Sequence, residues 1–381
     1  MIFLVVFAAT LVVPLLQTVY PVFGTIVPPV DEHRDPGPFP SLKLLLNTTG
    51  DFAAGLNQWF NDRVGLRDLF IRTKNQIDYS LFRTSRKVLV GSDGWLFDRG
   101  DPGIDIERLD QAGLDSVEKD FVDFARRLQE RGVRLLVVGY PDKSRIYPEK
   151  MPADAPVIAP GGNYDKLRQF LATQSSFMFI DAETILLHEK RTTTEDLFLK
   201  TDMHIDEVGQ LAVVKEIVAR IAAAEGRPDI HWAENFKLAH GSMPAGGQDR
   251  FMSLLINSHE NEPYYQGAYT IGGKESDGEW YLPNPRVLVS ADDGIGRSFD
   301  WEFRARPELC AQRLPGMVLF GNSFSDFYWA LGLQRYFCFI RRARTPMSRF
   351  AAFFAAMPEG TRYFIFQYYL PFLPDMVPPP E

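Results

Sequence analysis

Cysteine is nearly missing from this chain. Cys310 and Cys338 are the two in 381 residues, so no disulfide scaffold holds the fold and no cysteine pair stands at metal-ligand spacing. One bridge is open to them if their alpha carbons approach within about 7 Å; two small buried apolar side chains are the other reading. Histidine is scarce as well: His33, His188, His204, His231, His240 and His259. None belongs to an HxxxH or HExxH pattern, so zinc lacks a donor set, and no metal or cofactor is expected. Positive charge is short, with 41 Lys and Arg against 49 Asp and Glu and a net charge of −8. That balance argues against a nucleic-acid or anionic-membrane face. The single basic run, Arg341-Arg342-Ala343-Arg344, reads as a solvated edge following a strand, or as the rim of an anionic-ligand site. Internal repeats, heptads and low-complexity tracts are missing too.

Charge is absent altogether from the first thirty residues. Met1 to Phe23 is nearly all apolar, and a bilayer core needs roughly 20 such residues in a helix. Residues 1–27 therefore read as a transmembrane signal-anchor. A cleaved signal peptide is the rival, but it calls for a shorter apolar core and a small-x-small site, which Thr18 to Gly24 does not offer. No positive residue precedes the span, so charge bias does not set its orientation. Residues 28–42, rich in proline and charge, read as a linker.

From residue 43 the chain is expected to form one α/β domain. Phe52, Leu56, Trp59 and Phe60 recur at helical spacing; a second helix follows the Asn61 to Arg67 break and carries Leu69, Phe70, Ile77 and Leu81. Lys87 to Phe97 reads as a hairpin around Gly91-Ser92-Asp93-Gly94. Helices over 115–131, 164–174 and 206–224 then alternate with apolar runs at 133–139, 177–181, 314–320 and 363–366. Such alternation calls for a mostly parallel sheet covered by helices on both faces. Residues 226–313 differ: rich in Gly, Pro, Asn and aromatics, with a short helical signal at Arg250 to Asn257, they read as an inserted subdomain or lid.

Three segments carry chemistry-bearing residues near expected strand ends, where open α/β folds place their sites. Met317-Val318-Leu319-Phe320 breaks into Gly321-Asn322-Ser323-Phe324-Ser325-Asp326, which presents Ser323 at the tip of a turn. A serine is inert without a neighbouring base. His204, with Asp202 at i−2 on the same side of an extended segment, can supply that base and its orienting carboxylate. Asn322 is placed to donate to an oxyanion or to brace the turn. Lys143, Arg145 and Tyr147, after the strand at 133–139, suit support of a substrate or oxyanion, or else a loop ion-pair cluster.

Four motifs in fixed order now stand together: Gly91-x-Asp93-Gly94-Trp95-Leu96-Phe97, Pro141-Asp142-Lys143-x-x-Ile146-Tyr147-Pro148-Glu149, Thr201-Asp202-x-His204 with Gly209, and Gly321-x-Ser323-Phe324-Ser325. The set resembles the SGNH-hydrolase-like domain of the alginate O-acetyltransferase family, over residues 45 to 370. The resemblance implies a three-layer α/β/α fold and a Ser323–His204–Asp202 triad. It also implies O-acetylation of an exported polysaccharide, alginate or similar, by a periplasmic domain held at the inner membrane and supplied by a membrane-bound O-acyltransferase. Asn322 stands where general SGNH hydrolases carry aspartate, and no carbohydrate-binding domain follows the last strand. An acetyl esterase of the same fold, or a non-catalytic glycan-binding component of the export machinery, are the alternatives.

Overall fold

The computed structural model describes residues 1–20, 26–30, 35–47, 49–99, 104–155, 160–233, 238–243, 246–256, 262–267, 278–280, 300–326, 328–329, 331–344 and 350–370. The strands are β1 (Val88–Val90), β2 (Leu96–Asp98), β3 (Arg134–Tyr140), β4 (Met178–Asp181), β5 (Leu238–Met243), β6 (Glu262–Gly267), β7 (Gly278–Trp280), β8 (Trp301–Ala305), β9 (Gly316–Gly321), β10 (Phe339–Arg344) and β11 (Thr361–Tyr369).

Seven of them form one sheet in the order β4-β3-β11-β9-β10-β8-β7. The first five run parallel, and β8 and β7 extend the edge antiparallel. The period-2 alternation of each strand feeds two separate cores. On β3, Leu136, Val138 and Tyr140 face one side and Leu135 and Val137 the other; on β9, Met317 and Leu319 oppose Val318 and Phe320. The Ala182–Glu189 and Glu207–Ala224 helices close the first core through Leu186, Val214, Ile217 and Ile221. The Gln111–Glu130, Asn163–Thr173 and Phe350–Ala355 helices close the second through Phe121, Phe124, Leu167 and Phe350. The result is a three-layer α/β/α fold around a mostly parallel sheet. Strands buried on both faces explain why β3, β9 and β11 are continuous apolar runs.

Two sequence expectations change. The Arg341-Arg342-Ala343-Arg344 run lies inside β10 rather than after a strand, and Arg342 is fully buried. Alternation along a strand that lies between β9 and β8, inside the sheet, turns that arginine inward. Within the stretch 226–313, β7 and β8 belong to the central sheet, β5 and β6 form a separate two-stranded antiparallel sheet, and the helix runs over Gly247–Met252 between them. Residues 257–261, 268–277 and 281–299, with Asn257, His259 and Tyr281, lie outside the described residues, as do His33 and the Pro371 to Glu381 tail.

Ile2–Val19 is an 18-residue apolar helix, long enough to cross a membrane by length and composition. Cys310 and Cys338 are bonded to each other, with alpha carbons 4.7 Å apart. The bridge joins the segments entering β9 and β10, beside Cys338 N–H donating to the Leu314 carbonyl at 2.8 Å. Its sequence separation is 28, and a loop of that order loses about 3–4 kcal/mol of unfolded-state entropy when cross-linked. Replacing both cysteines by serine should therefore lower stability by about 3 kcal/mol, read as a fall in the urea midpoint. An unmoved midpoint would show that the bridge does not stabilise this edge.

Candidate active site

β9 is buried along its whole length and stops where the apolar side chains stop. Gly321 makes the stop possible: a Cβ there would meet Gln367 Oε1 at 2.5 Å and Ser325 Oγ at 2.7 Å. A 3-10 turn, Ser323–Ser325, follows at the carboxyl end of the strand. Asn322 caps it. Its Oδ1 accepts from Phe324 N–H at 3.1 Å and from Gln367 Nε2 at 3.0 Å. An N–H can be answered only by the amide oxygen, so these bonds settle which way the Asn322 amide points. Its Nδ2 is thereby turned away from the turn. Among the described residues neither Asn322 Nδ2 nor the Ser323 backbone N–H makes a hydrogen bond.

His204 and Asp202 arrive from the loop before the Glu207–Ala224 helix, which Asp206 caps by accepting from Val208 N–H at 2.9 Å. His204 Nε2 lies 2.7 Å from Ser323 Oγ, across 119 residues of chain. His204 Nδ1 lies 2.6 Å from Asp202 Oδ1, which also accepts from the His204 backbone N–H at 3.1 Å. The pair meets through a turn, not through the extended segment the sequence suggested: residues 201–204 form turn and bends. Asp202 Oδ2 accepts from Gly247 N–H at 2.6 Å. Burial alone would raise the Asp202 carboxyl. The His204 ring and the two backbone donors outweigh it and hold the group well below the usual carboxylate range. An ionised Asp202 requires Nδ1 to carry the proton, leaving Nε2 as the acceptor that faces Ser323.

The other three side chains named from sequence serve the protein's own structure. Lys143 is 2% exposed. Its Nζ donates to the carbonyls of Leu199, Lys200 and Asp202 at 3.0, 3.1 and 2.7 Å and to Gln248 Oε1 at 3.1 Å, and it lies over the rings of Trp95 and Phe97. It therefore fixes the loop that carries Asp202 and His204. Arg145 pairs with Glu183 and Asp165; burial opposes its charge, but Glu183 more than restores it and raises the guanidinium above its ordinary value. Tyr147 packs on Trp95, and its oxygen accepts from Leu197 N–H at 2.8 Å. Burial pushes its phenol up to about 12. Lys143 alone of the three comes to the site, and it does so from beneath.

Several residues around the site were not named as its members from the sequence. Arg342 Nη2 donates to the Asn322 carbonyl at 2.9 Å and to Ser325 Oγ at 3.2 Å, and pairs with Asp326. Burial pushes the Asp326 carboxyl up and the Arg342 guanidinium down, each against the pull of the other. Gln367, on β11 opposite Gly321, holds the Asn322 amide. Gly247 and Gln248 contribute from 45 or more residues away. A basic run inside an apolar strand was the one available signal, for Arg342.

Residues 88–245 match the family model described as SGNH hydrolase-like domain, acetyltransferase AlgX. That stretch includes Lys143, Asp202 and His204 and stops before β9. Over 150 residues the chain is 29% identical to the probable alginate O-acetylase AlgJ of Pseudomonas aeruginosa, covering 38% of this chain and 36% of that protein. The chain thus matches little more than a third of that relative's length. Among solved structures, PatB1 of Bacillus cereus is similar with a TM-score of 0.51 at 14% identity, covering 75% of this chain and 96% of the other. The O-acetyltransferase domain of Pseudomonas putida AlgJ aligns with a TM-score of 0.46 at 17% identity, covering 75% and 92%. At such identity the likeness to PatB1 concerns the fold alone.

The depressed Asp202 carboxyl gives a signed pH dependence. Its folded-state value lies below the ordinary 3.8, so its contribution is fully present above that pH and is lost as pH falls through the folded value. Asp202→Asn should be less stable than the parent in urea melts at pH 6. The gap should narrow as pH drops below 3.8. A gap that stays constant or widens on acidification would mean that Asp202 is not held ionised by these bonds.

Proposed function

Starting from an SGNH-hydrolase-like domain related to alginate O-acetylation proteins, we propose that this protein is an O-acetyltransferase. It carries an acetyl group on Ser323 to hydroxyls of an exported polysaccharide, alginate or a similar exopolysaccharide. The observation that supports this best is the unbroken run of hydrogen bonds from Asp202 through His204 to Ser323 Oγ.

His204 Nε2 takes the Ser323 hydroxyl proton as Oγ bonds to the acetyl carbonyl carbon. The carbonyl electron pair moves onto oxygen, and the Ser323 N–H and Asn322 Nδ2, neither of them hydrogen-bonded among the described residues, are the candidate donors to it. One such donor is worth about 3 kcal/mol in a tetrahedral transition state. As the tetrahedron collapses, the donor's leaving oxygen receives the proton from His204, and Ser323 is left acetylated. A sugar hydroxyl then repeats the cycle: His204 takes its proton, its oxygen attacks the ester, and Ser323 Oγ leaves with the proton returned. Asp202 holds the imidazolium that forms in each half. No step calls on a metal.

In this reading residues 1–27 anchor the chain in the inner membrane, 28–42 form the linker and 43–381 form the domain in the periplasm. The acetyl group comes from a membrane-bound O-acyltransferase. Ile2–Val19 supports the anchor.

Ser323→Ala should lower acetate release from an aryl acetate by at least about 10³-fold with the fold intact by circular dichroism. It should also leave the glycan unacetylated in cells. Unchanged turnover would overturn the assignment of Ser323. Incubation of the parent with an acetyl donor and oligosaccharides should yield acetylated sugar; free acetate alone would favour an esterase of the same fold.

A further inference from the structure

The Arg67–Phe82 helix has a fixed rotation and an unexplained outer face. Its inner side is tied to the domain. Tyr79 is buried with Met252 and Leu254, Asn75 Nδ2 donates to the Met252 carbonyl at 2.9 Å, and Arg72 Nη1 donates to the Leu254 carbonyl at 2.7 Å. Phe70, Ile77 and Leu81 point the other way and are 51%, 49% and 71% exposed. Phe70, Ile77 and Leu81 fall at i, i+7 and i+11, one stripe of a helix. Ile256, 69% exposed, lies on the flank of the helix, where its N–H donates to Gln76 Oε1 at 3.0 Å. Single exposed apolar residues are ordinary; a continuous stripe of large ones marks an interaction surface.

Two observations identify what covers it. The turn that leads into this helix packs on the carboxyl-terminal part of Ile2–Val19. Gly65 N–H donates to Thr18 Oγ1 at 2.8 Å, and a Cβ at Gly65 would meet Gln17 Cβ at 2.5 Å and the Pro14 carbonyl oxygen at 2.6 Å. Arg72 also holds the segment just beyond the span, through the Pro28 and Pro29 carbonyls at 2.8 and 2.9 Å. The second observation is charge. Residues 49–87 carry seven Lys or Arg against four Asp, in a chain whose net charge is −8. The chain-wide balance hides this local surplus of three positive charges. Exposed large apolar residues beside cations are the pattern of a helix lying in a membrane interface.

We propose that the Arg67–Phe82 helix lies on the bilayer surface, with Phe70, Ile77 and Leu81 in the boundary between headgroups and acyl chains. Lys74 and the exposed cations just beyond the helix, Arg83, Arg86 and Lys87, meet anionic headgroups. Lys74, between Phe70 and Ile77 on the same stripe, extends its stem along the apolar surface and keeps its ammonium, paired with Asp78, at the headgroup level. The proposal rests on Ile2–Val19 spanning the membrane. It gives the domain a fixed pose instead of a tether of free length.

The chain has no free cysteine among the described residues, so an introduced one can carry a single fluorescent label. Full-length Phe70→Cys, Ile77→Cys, Leu81→Cys, Lys119→Cys and Leu11→Cys are labelled and placed in bilayers containing anionic lipid. Each is titrated with a lipid-borne nitroxide near the headgroups, a lipid-borne nitroxide deep in the acyl chains, and a water-soluble nitroxide. Labels at 70, 77 and 81 should all be quenched by the shallow lipid probe about threefold or more above position 119, and more so with anionic than neutral lipid. Quenching that fades from 70 to 81, or is chiefly aqueous at all three, would mean a helix standing off the membrane and overturns the proposal. Protection from every quencher would mean that a second copy covers the stripe, and overturns it equally. The label at 11 tests the premise separately: it should meet the deep probe, and failure there removes the span and the proposal with it.

Discussion

Lys143 carries a positive charge to a place where 2% of its surface meets solvent. A buried ammonium must be answered by acceptors or lose its proton. Here the answer is three carbonyls from Leu199, Lys200 and Asp202, the side-chain oxygen of Gln248, and the faces of Trp95 and Phe97. One charge thus joins the carboxyl end of β3, the β1–β2 hairpin, the loop carrying Asp202 and His204, and the Gly247–Met252 helix. That loop has little apolar surface of its own to hold it. The Lys200 carbonyl also accepts from Leu96 N–H at 2.8 Å and Asp202 from Gly247 N–H at 2.6 Å, so the ammonium adds to a set of bonds that hold His204 opposite Ser323.

A second buried cation does the same for the other half of the site. Arg342 holds the carbonyl of Asn322 and the hydroxyl of Ser325, the residues on either side of the Ser323–Phe324 pair. The two cations come from strands on opposite sides of β11, one from beyond β3 and one from β10. Phe324 fills the space between them, against Tyr140, Tyr369 and the His204 ring. Preorganisation of this kind is what a nucleophile and base need, because a displacement of about 1 Å can cost 10²-fold in rate.

The parts of this design differ in how plainly they stand in the sequence. β3, β9 and β11 were legible because a strand covered on both faces has no polar alternation. Ser323 was legible because its strand ends abruptly in small polar residues, and Asp202 and His204 because they precede a strongly periodic helix. The role of Lys143 was not. A lysine near a strand end looks like a surface charge, and nothing local shows that four acceptors converge on it. Arg342 was read as part of a solvated edge or of an anionic-ligand rim for the same reason. Gly247 and Gln248 lie in a stretch whose composition signals no regular structure, so their bonds to the loop depend entirely on the fold. The Arg67–Phe82 helix was evident from its spacing, but the spacing does not say which of its two apolar sides meets the protein.

The central claim is that Ser323 is the atom on which an acyl group is carried. Brief exposure of the full-length protein to an aryl acetate, an acid quench and peptide mass mapping test it directly. An added mass of about 42 Da is predicted on the peptide bearing Ser323, formed far more slowly in His204→Ala and removed by a subsequent chase with oligosaccharide. Acetyl on another residue, or on Ser323 at the same rate with and without His204, would contradict it.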